Sequence, residues 1–217
     1  LYSMGKPLKN YKHFLNQKNF FYNYLFYVRE ILIFFLIITY LAIKRRKKLF
    51  IWLGIIHIIF IGFFFRNPKI DINQNKNIIF SPSSGKVKSI EKVKINNHNY
   101  NKIYIYLSPA DEHILISPIS GYVNNIKKIP NEMDQERKLV VLKNFDDKKI
   151  YIEQAVTKMG STGWMSKFLV DERVVINLEK NEFINQGDRY GFIRFGSEVQ
   201  IYLPENYKII VNIGDKL

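Results

Sequence analysis

The sequence predicts a mainly β (α+β) protein in two parts. An N-terminal membrane helical hairpin occupies residues 1–65, and a folded-over β-sheet domain with hammerhead-like turns occupies 66–217. Three observations predict it. Two apolar runs, 31–43 and 49–65, flank the basic stretch Lys44-Arg45-Arg46-Lys47-Lys48. After Pro68 the texture changes to short alternating segments separated by clusters of Gly, Pro, Asn and Asp. A pattern S-P-x-S-G-x-V occurs twice, at 81–87 and 117–123, as a sheet folded over on itself would need for two similar strand beginnings.

The hairpin follows from length and charge. At 1.5 Å per residue the second run reaches about 25 Å, slightly short of the roughly 30 Å hydrocarbon core, and the first borrows from Phe20 to Val28. No polar stripe at helical spacing interrupts either run. The net charge is +14, and residues 1–65 hold ten Lys/Arg against Glu30 alone. That excess beside lipid-length segments favours an anionic membrane surface over nucleic acid, for which no motif is present. Cations at both ends and in the turn make the same claim on the cytoplasmic side. A shallow hairpin that enters and leaves on one face satisfies all of them, so the expected location is the cytoplasmic face of the cell membrane. A polybasic stop after the first run argues against a cleaved signal peptide, and His57 reads as a packed or snorkelling residue.

The β domain is expected to use segments 102–107, 138–142, 149–156, 168–178, 190–195, 199–203 and 208–213, with a helical turn at 110–114 and another around 164–168. In each S-P-x-S-G-x-V copy, proline sets φ early in the turn and glycine permits the positive φ that launches the next strand. An Asn185-Gln186-Gly187-Asp188 turn precedes the strand at Tyr190. Zero cysteines exclude disulfides and thiolate chemistry. His13, His57, His98 and His113 are scattered, with no carboxylate at ligand spacing, so no metal site is expected. Dinucleotide, Walker and G-x-S-x-G motifs are absent.

The stretch that draws attention is 191–204. Apolar residues alternate on both sides of Gly196-Ser197, as in two strands meeting at an abrupt step. Four blocks stand in order: Phe63-Phe64-Phe65-Arg66-Asn67-Pro68, Phe80 to Val87, Ile105 to Gly121 with Ser108-Pro109-Ala110-Asp111-Glu112-His113 inside it, and Ile193-Arg194-Phe195-Gly196-Ser197. Together, over roughly 60–210, they resemble the short-form phosphatidylserine decarboxylases.

The resemblance implies self-cleavage by attack of the Ser197 hydroxyl on the Gly196 carbonyl. Elimination and hydrolysis then turn Ser197 into a pyruvoyl cofactor. It also implies a long chain ending at Gly196, a short chain of 21 residues, and decarboxylation of phosphatidylserine to phosphatidylethanolamine and CO2. His113 matches a motif histidine suited to protonating a carbanion. Arg194 is a candidate to hold a phosphate or carboxylate. The implied partners are a phospholipid, a membrane and further copies of the chain.

Two positions depart from the family pattern. Ser84 stands where an acid is usual, and Ile116 where His or Arg is common. Asp111 and Glu112 read as solvated residues. A second Gly-Ser, Gly160-Ser161, follows a strand too early to be the cleavage site, and Trp164, Met165 and Phe168 beyond it read as core or membrane anchors. The alternative to an enzyme is a membrane-tethered β module in which Ser197 is a turn residue and no processing occurs. A lipoyl-type carrier is disfavoured because no lysine sits at a Gly-flanked hairpin tip.

Overall fold

The computed structural model describes residues 29, 32–64, 66, 77–130, 136–156, 173–193 and 197–217. The chain divides into two compact units, Leu1–Asn67 and Pro68–Leu217.

In the first unit, helix α1 (32–44) turns back through 45–47 into α2, Lys48–Phe64. The turn is a Schellman-type stop: the Lys47 amide donates to the Ala42 carbonyl at 2.9 Å, and Arg46 takes a left-handed φ of 53°. The seam is made of small and polar residues. Thr39 and Ala42 are buried, and the Thr39 hydroxyl donates to the Phe35 carbonyl at 2.7 Å. His57 stacks on Phe35 at 4.7 Å and donates from Nδ1 to the Leu53 carbonyl. A Cβ placed on Gly54 would lie 2.0 Å from Thr39 Oγ1, so glycine is required for the close approach.

The large apolar side chains point outward instead: Tyr40, Trp52 and Ile59 are each more than 60% exposed. A polar seam with an apolar exterior inverts the usual soluble pattern. The 17-residue α2 nonetheless falls short of a full span, and no helix among the described residues is long and apolar enough to cross a membrane. Gly54→Leu is expected to force the helices apart. Cysteines placed at Phe35 and His57, whose rings stack at 4.7 Å, are expected to cross-link in an otherwise unchanged hairpin and to lose at least tenfold in rate when Gly54→Leu is added.

Among the described residues the second unit has ten strands in two antiparallel sheets. The strands are β1 (Lys86–Ile95), β2 (His98–Leu107), β3 (Ile114–Ile116), β4 (Gly121–Ile129), β5 (Arg137–Lys143), β6 (Lys149–Ala155), β7 (Val174–Ile176), β8 (Phe183–Ile184), β9 (Arg189–Ile193) and β10 (Ser197–Pro204). The large sheet runs β1-β2-β10-β6-β5-β4-β8 and the small one β3-β9-β7. Alternation sets the core face: Ile103, Ile105 and Leu107 of β2, Val199, Ile201 and Leu203 of β10, and Ile150 and Ile152 of β6 point inward, against Leu115, Val174, Tyr190 and Ile193 of the small sheet. Asn96 and Asn97, both at positive φ, form the two-residue turn between β1 and β2.

Both S-P-x-S-G-x-V copies lead into strands, β1 and β4, and they mirror one another in detail. Ser81 Oγ donates to the Ser83 carbonyl and Ser117 Oγ to the Ile119 carbonyl. The Phe80 amide bonds to the Pro118 carbonyl and the Ile116 amide to the Pro82 carbonyl, a reciprocal pair that marks a local two-fold. The two glycines differ in their reason. Gly85 has φ 143°, as expected, whereas a Cβ at Gly121 would lie 2.3 Å from the Lys143 carbonyl oxygen, so close strand approach, not positive φ, requires it.

Several expected elements are corrected. Segment 110–114 is not a helical turn: the Asp111 carboxylate caps a β-turn, and Ile114 already belongs to β3. Of 168–178 the described part gives only the short β7. Segment 208–213 is not a strand. Ile209 and Val211 pack on the core while Ile210 and Ile213 face outward, so the alternation is real, but among the described residues no ladder forms there. It ends in the turn Asn212-Ile213-Gly214-Asp215, which repeats the N-x-G-D turn at 185–188. In each, the aspartate accepts from the asparagine amide, and the glycine has φ of 86° or 99°. The turn expected around 164–168, the Gly160-Ser161 pair, and Trp164, Met165 and Phe168 lie outside the described residues.

Candidate active site

One corner of the β domain gathers three of the four sequence blocks. β2 belongs to the large sheet and β3 to the small one, so 108–113 crosses between sheets. β9 and β10 stand in the same relation, one in each sheet. The bracketing pairs fix the arrangement: Ser197 lies opposite Leu107, the Ile193 amide donates to the His113 carbonyl at 2.9 Å, and Phe192 lies opposite Ile114. Gly196 and Arg194 lie outside the described residues, and for Ser197 only the backbone position at the head of β10 is described. The Gly196-Ser197 step is therefore held at its flanks against the loop that carries His113.

His113 is 3% exposed. Its Nδ1 is 2.9 Å from the Asp111 carbonyl oxygen, which only accepts, so Nδ1 carries the proton and Nε2 is the basic nitrogen. Asp111, expected to be solvated, is 5% exposed. Its Oδ2 accepts from the Ser108 amide and the Ser108 hydroxyl, both at 2.8 Å, and its Oδ1 lies 3.1 Å from Lys216 Nζ. Burial alone would raise its pKa, but the two Ser108 bonds and Lys216 outweigh it and hold the carboxyl below the usual aspartate value.

Glu112 is likewise not simply solvated. It is half-buried, and Ser84 donates its hydroxyl to Glu112 Oε2 at 2.6 Å. The loop 81–85 is tied down on its other side by the Leu217 amide, which donates to the Gly85 carbonyl. Ile116 sits on β3 and brings no basic group. No cluster of metal-binding side chains occurs among the described residues.

Lys216 escaped sequence reasoning because it meets Asp111 only through the fold, across more than a hundred residues, and one charge near a chain end gives no periodic signal. The Ser84–Glu112 bond was equally hidden. A folded aspartate whose pKa is depressed stabilises the protein above its unfolded pKa, near 3.9, and loses that contribution as pH falls through the lower folded value. Lys216→Met is therefore expected to raise the Asp111 pKa, measurable by carboxyl-carbon NMR, and to move the acid-unfolding midpoint to higher pH.

Comparison with known proteins places this corner in a family. The family model described as phosphatidylserine decarboxylase matches residues 58–217. Among curated relatives, a "Phosphatidylserine decarboxylase proenzyme" of the Wolbachia of Brugia malayi is 31% identical over 169 residues, covering 70% of this chain and 69% of its own. Those of Ralstonia pickettii, 28% over 171 residues, and Syntrophus aciditrophicus, 26% over 182, cover 73% and 76% of this chain and 74% and 80% of their own. The matched span contains the β domain and the corner whole, and on that ground the chain belongs to the phosphatidylserine decarboxylase family.

Proposed function

We propose that this chain decarboxylates phosphatidylserine to phosphatidylethanolamine and CO2 at a membrane surface, after cutting itself between Gly196 and Ser197. The observation that carries the reading is the strand pairing that sets Ile193 on the His113 carbonyl and Ser197 opposite Leu107, the two ends of the His113 loop. Membership of a family whose relatives are named proenzymes supports it.

The residues present fit a pyruvoyl group formed from Ser197. Ser197 heads β10 opposite Leu107, and the loop that follows Leu107 carries a buried imidazole with one nitrogen fixed as the base. Once formed, such a group supplies an electron sink for the charge left on the substrate carbon as CO2 departs. The chain's own part is to hold and to protonate. His113, oriented by the Asp111 carbonyl, takes up a proton at Nε2 and delivers it from there to the substrate carbon. Arg194, three residues before Ser197 in the sequence, meets the phosphate or carboxylate of the headgroup.

Cutting does not free the short chain, because β10 is paired along both edges, with β2 from Ser197 to Pro204 and with β6 from Glu198 to Tyr202. Val199, Ile201 and Leu203 anchor it in the core, each worth about 1.5–3 kcal/mol of burial. Lys216 and Leu217 tie its far end to Asp111 and Gly85. The helical hairpin, apolar outside and basic at its turn, holds the domain at the headgroup layer on the cytoplasmic face of the cell membrane.

The test is intact mass of the purified full chain under native and denaturing conditions, with CO2 release from phosphatidylserine vesicles. One native species that separates into residues 1–196 and a ketone-blocked 21-residue fragment, and that releases CO2, is expected. A single uncut chain with no CO2 release overturns the proposal in favour of a tethered β module.

A further inference from the structure

We infer that Arg137 and Tyr104, which grip the Glu198 carboxylate, are positioning residues that keep the chain end at 197 in place for the reaction once the cut is made. The inference rests on the proposed cut at Gly196-Ser197 and goes beyond it, to the end that the cut creates. Strand ends fray unless something ties them down. Position 197 lies opposite Leu107 of β2, but among the described residues pairing with β6 begins one residue later, at Glu198 and Ala155. While the chain is whole, the covalent connection from β9 also restrains 197. The cut removes that restraint at the residue proposed to carry the ketone.

The next residue is gripped by its side chain. Successive β10 side chains alternate, so Val199, Ile201 and Leu203 enter the core and Glu198, Gln200 and Tyr202 lie on the other face of the large sheet. There the Glu198 side chain is only 14% exposed. Its Oε2 accepts from the Tyr104 hydroxyl of β2 at 3.0 Å, and its Oε1 lies 3.4 Å from Arg137 Nη2 of β5 and 3.3 Å from Gln200 Nε2. Burial first, and then the Glu198 charge, push the Tyr104 hydroxyl up to about 12, so it keeps its proton and donates at neutral pH.

Register explains how Arg137 reaches so far. Glu198, Ala155 and Arg137 stand in one row across β10, β6 and β5, which puts the outer two backbones two strand spacings apart, about 10 Å. A long side chain crosses that gap only over a small residue, and Ala155 is that residue. Glu153 aims the guanidinium from its other side: its Oε1 accepts from Nη1 at 2.8 Å, and its Oε2 lies 3.0 Å from the Tyr202 hydroxyl. Arg137 thereby ties the second residue of the short chain to a strand two places away, and Tyr104 ties it to the adjacent one.

The grip matters because the reaction is proposed at the neighbouring residue. A displacement of about 1 Å at a reacting group costs about 10²-fold in rate. A frayed end would spread the ketone over many positions relative to the His113 loop, while the headgroup contacts that bind substrate stay as they are. Loss of the grip should therefore lower kcat and leave KM nearly unchanged.

The experiment uses the full chain, cut to completion, in vesicles of phosphatidylserine and phosphatidylcholine. It reads hydrogen exchange of short-chain peptides by mass, together with kcat and KM for CO2 release. Glu198→Ala is expected to speed exchange of peptide 197–203 about tenfold, to leave 204–217 unchanged, and to lower kcat about 10- to 100-fold at nearly constant KM. Glu198→Gln keeps an oxygen for Tyr104 and Arg137, and is expected to return both readouts to within about fivefold of the parent. If Glu198→Ala does not fold, Tyr104→Phe, which loses a single hydroxyl, decides in its place, with effects of about 3- to 10-fold expected.

Parent exchange together with parent kcat in the deciding variant overturns the inference and leaves the proposed function standing. So does exchange that quickens along the whole short chain, or a loss that Glu198→Gln fails to restore, since either marks a general loosening of the sheet. A parent chain that is never cut, or that releases no CO2, overturns both.

Discussion

Ser197→Ala is expected to leave one intact chain of 217 residues and to abolish CO2 release from phosphatidylserine, the largest effect any single substitution should produce here. The change removes one oxygen at the head of β10, and that oxygen is proposed both as the nucleophile of the cut and as the source of the ketone. Losing the nucleophile removes a covalent route, not a fraction of a rate. The fold should not suffer. Position 197 enters the ladder through its backbone, opposite Leu107, and alanine keeps that backbone. Thermal unfolding of the variant should therefore fall close to that of the uncut parent. Mass, activity and melting measured on one preparation separate the readings: an uncut, inactive, well-folded variant supports the serine's role. A variant that is cut, or that releases CO2 as the parent does, refutes it.

Much of the corner was legible in the sequence, for identifiable reasons. The two S-P-x-S-G-x-V copies announce β1 and β4 because a proline-glycine turn constrains backbone on its own, without help from tertiary contacts. Alternation of Val199, Ile201 and Leu203 marks β10 because each faces a core that every neighbouring strand shares. The same rule fails at 208–213, where alternation records burial alone and the N-x-G-D turn at 212–215 ends the segment; burial has period two whether or not a partner strand is present. The long-range polar contacts were out of reach. Ser84 looked like a deletion of chemistry, since its partner Glu112 stands 28 residues away. Asp111 and Glu112 look solvated in a string of polar letters, and only the fold, which brings Lys216 to the first and Ser84 to the second, buries the one and half-buries the other. The helical hairpin shows the reverse case. Its apolar runs are obvious, but the polar seam of Thr39, Gly54 and His57 emerges only when the helices are set side by side.

His113→Gln is expected to separate the two proposed reactions. Glutamine is close to histidine in length and can still donate an N–H toward the Asp111 carbonyl, so the buried loop keeps its shape and the Ile193 amide keeps its acceptor. What it lacks is a nitrogen that gains and loses a proton near neutral pH. If His113 supplies the proton to the substrate carbon, the variant should cut itself and hold its short chain as the parent does. Its kcat for CO2 release should fall about 10²- to 10⁴-fold, the range for loss of a general acid. KM should change little, since no headgroup contact is assigned to the imidazole, and a loss shared equally by kcat and kcat/KM is the mark of an interaction made only in the transition state. An uncut variant would instead give His113 a part in the cut itself. A cut variant with parent kcat would assign the proton donor to another residue. The outcome turns on chemistry at one nitrogen, because every backbone bond that frames the site survives the substitution.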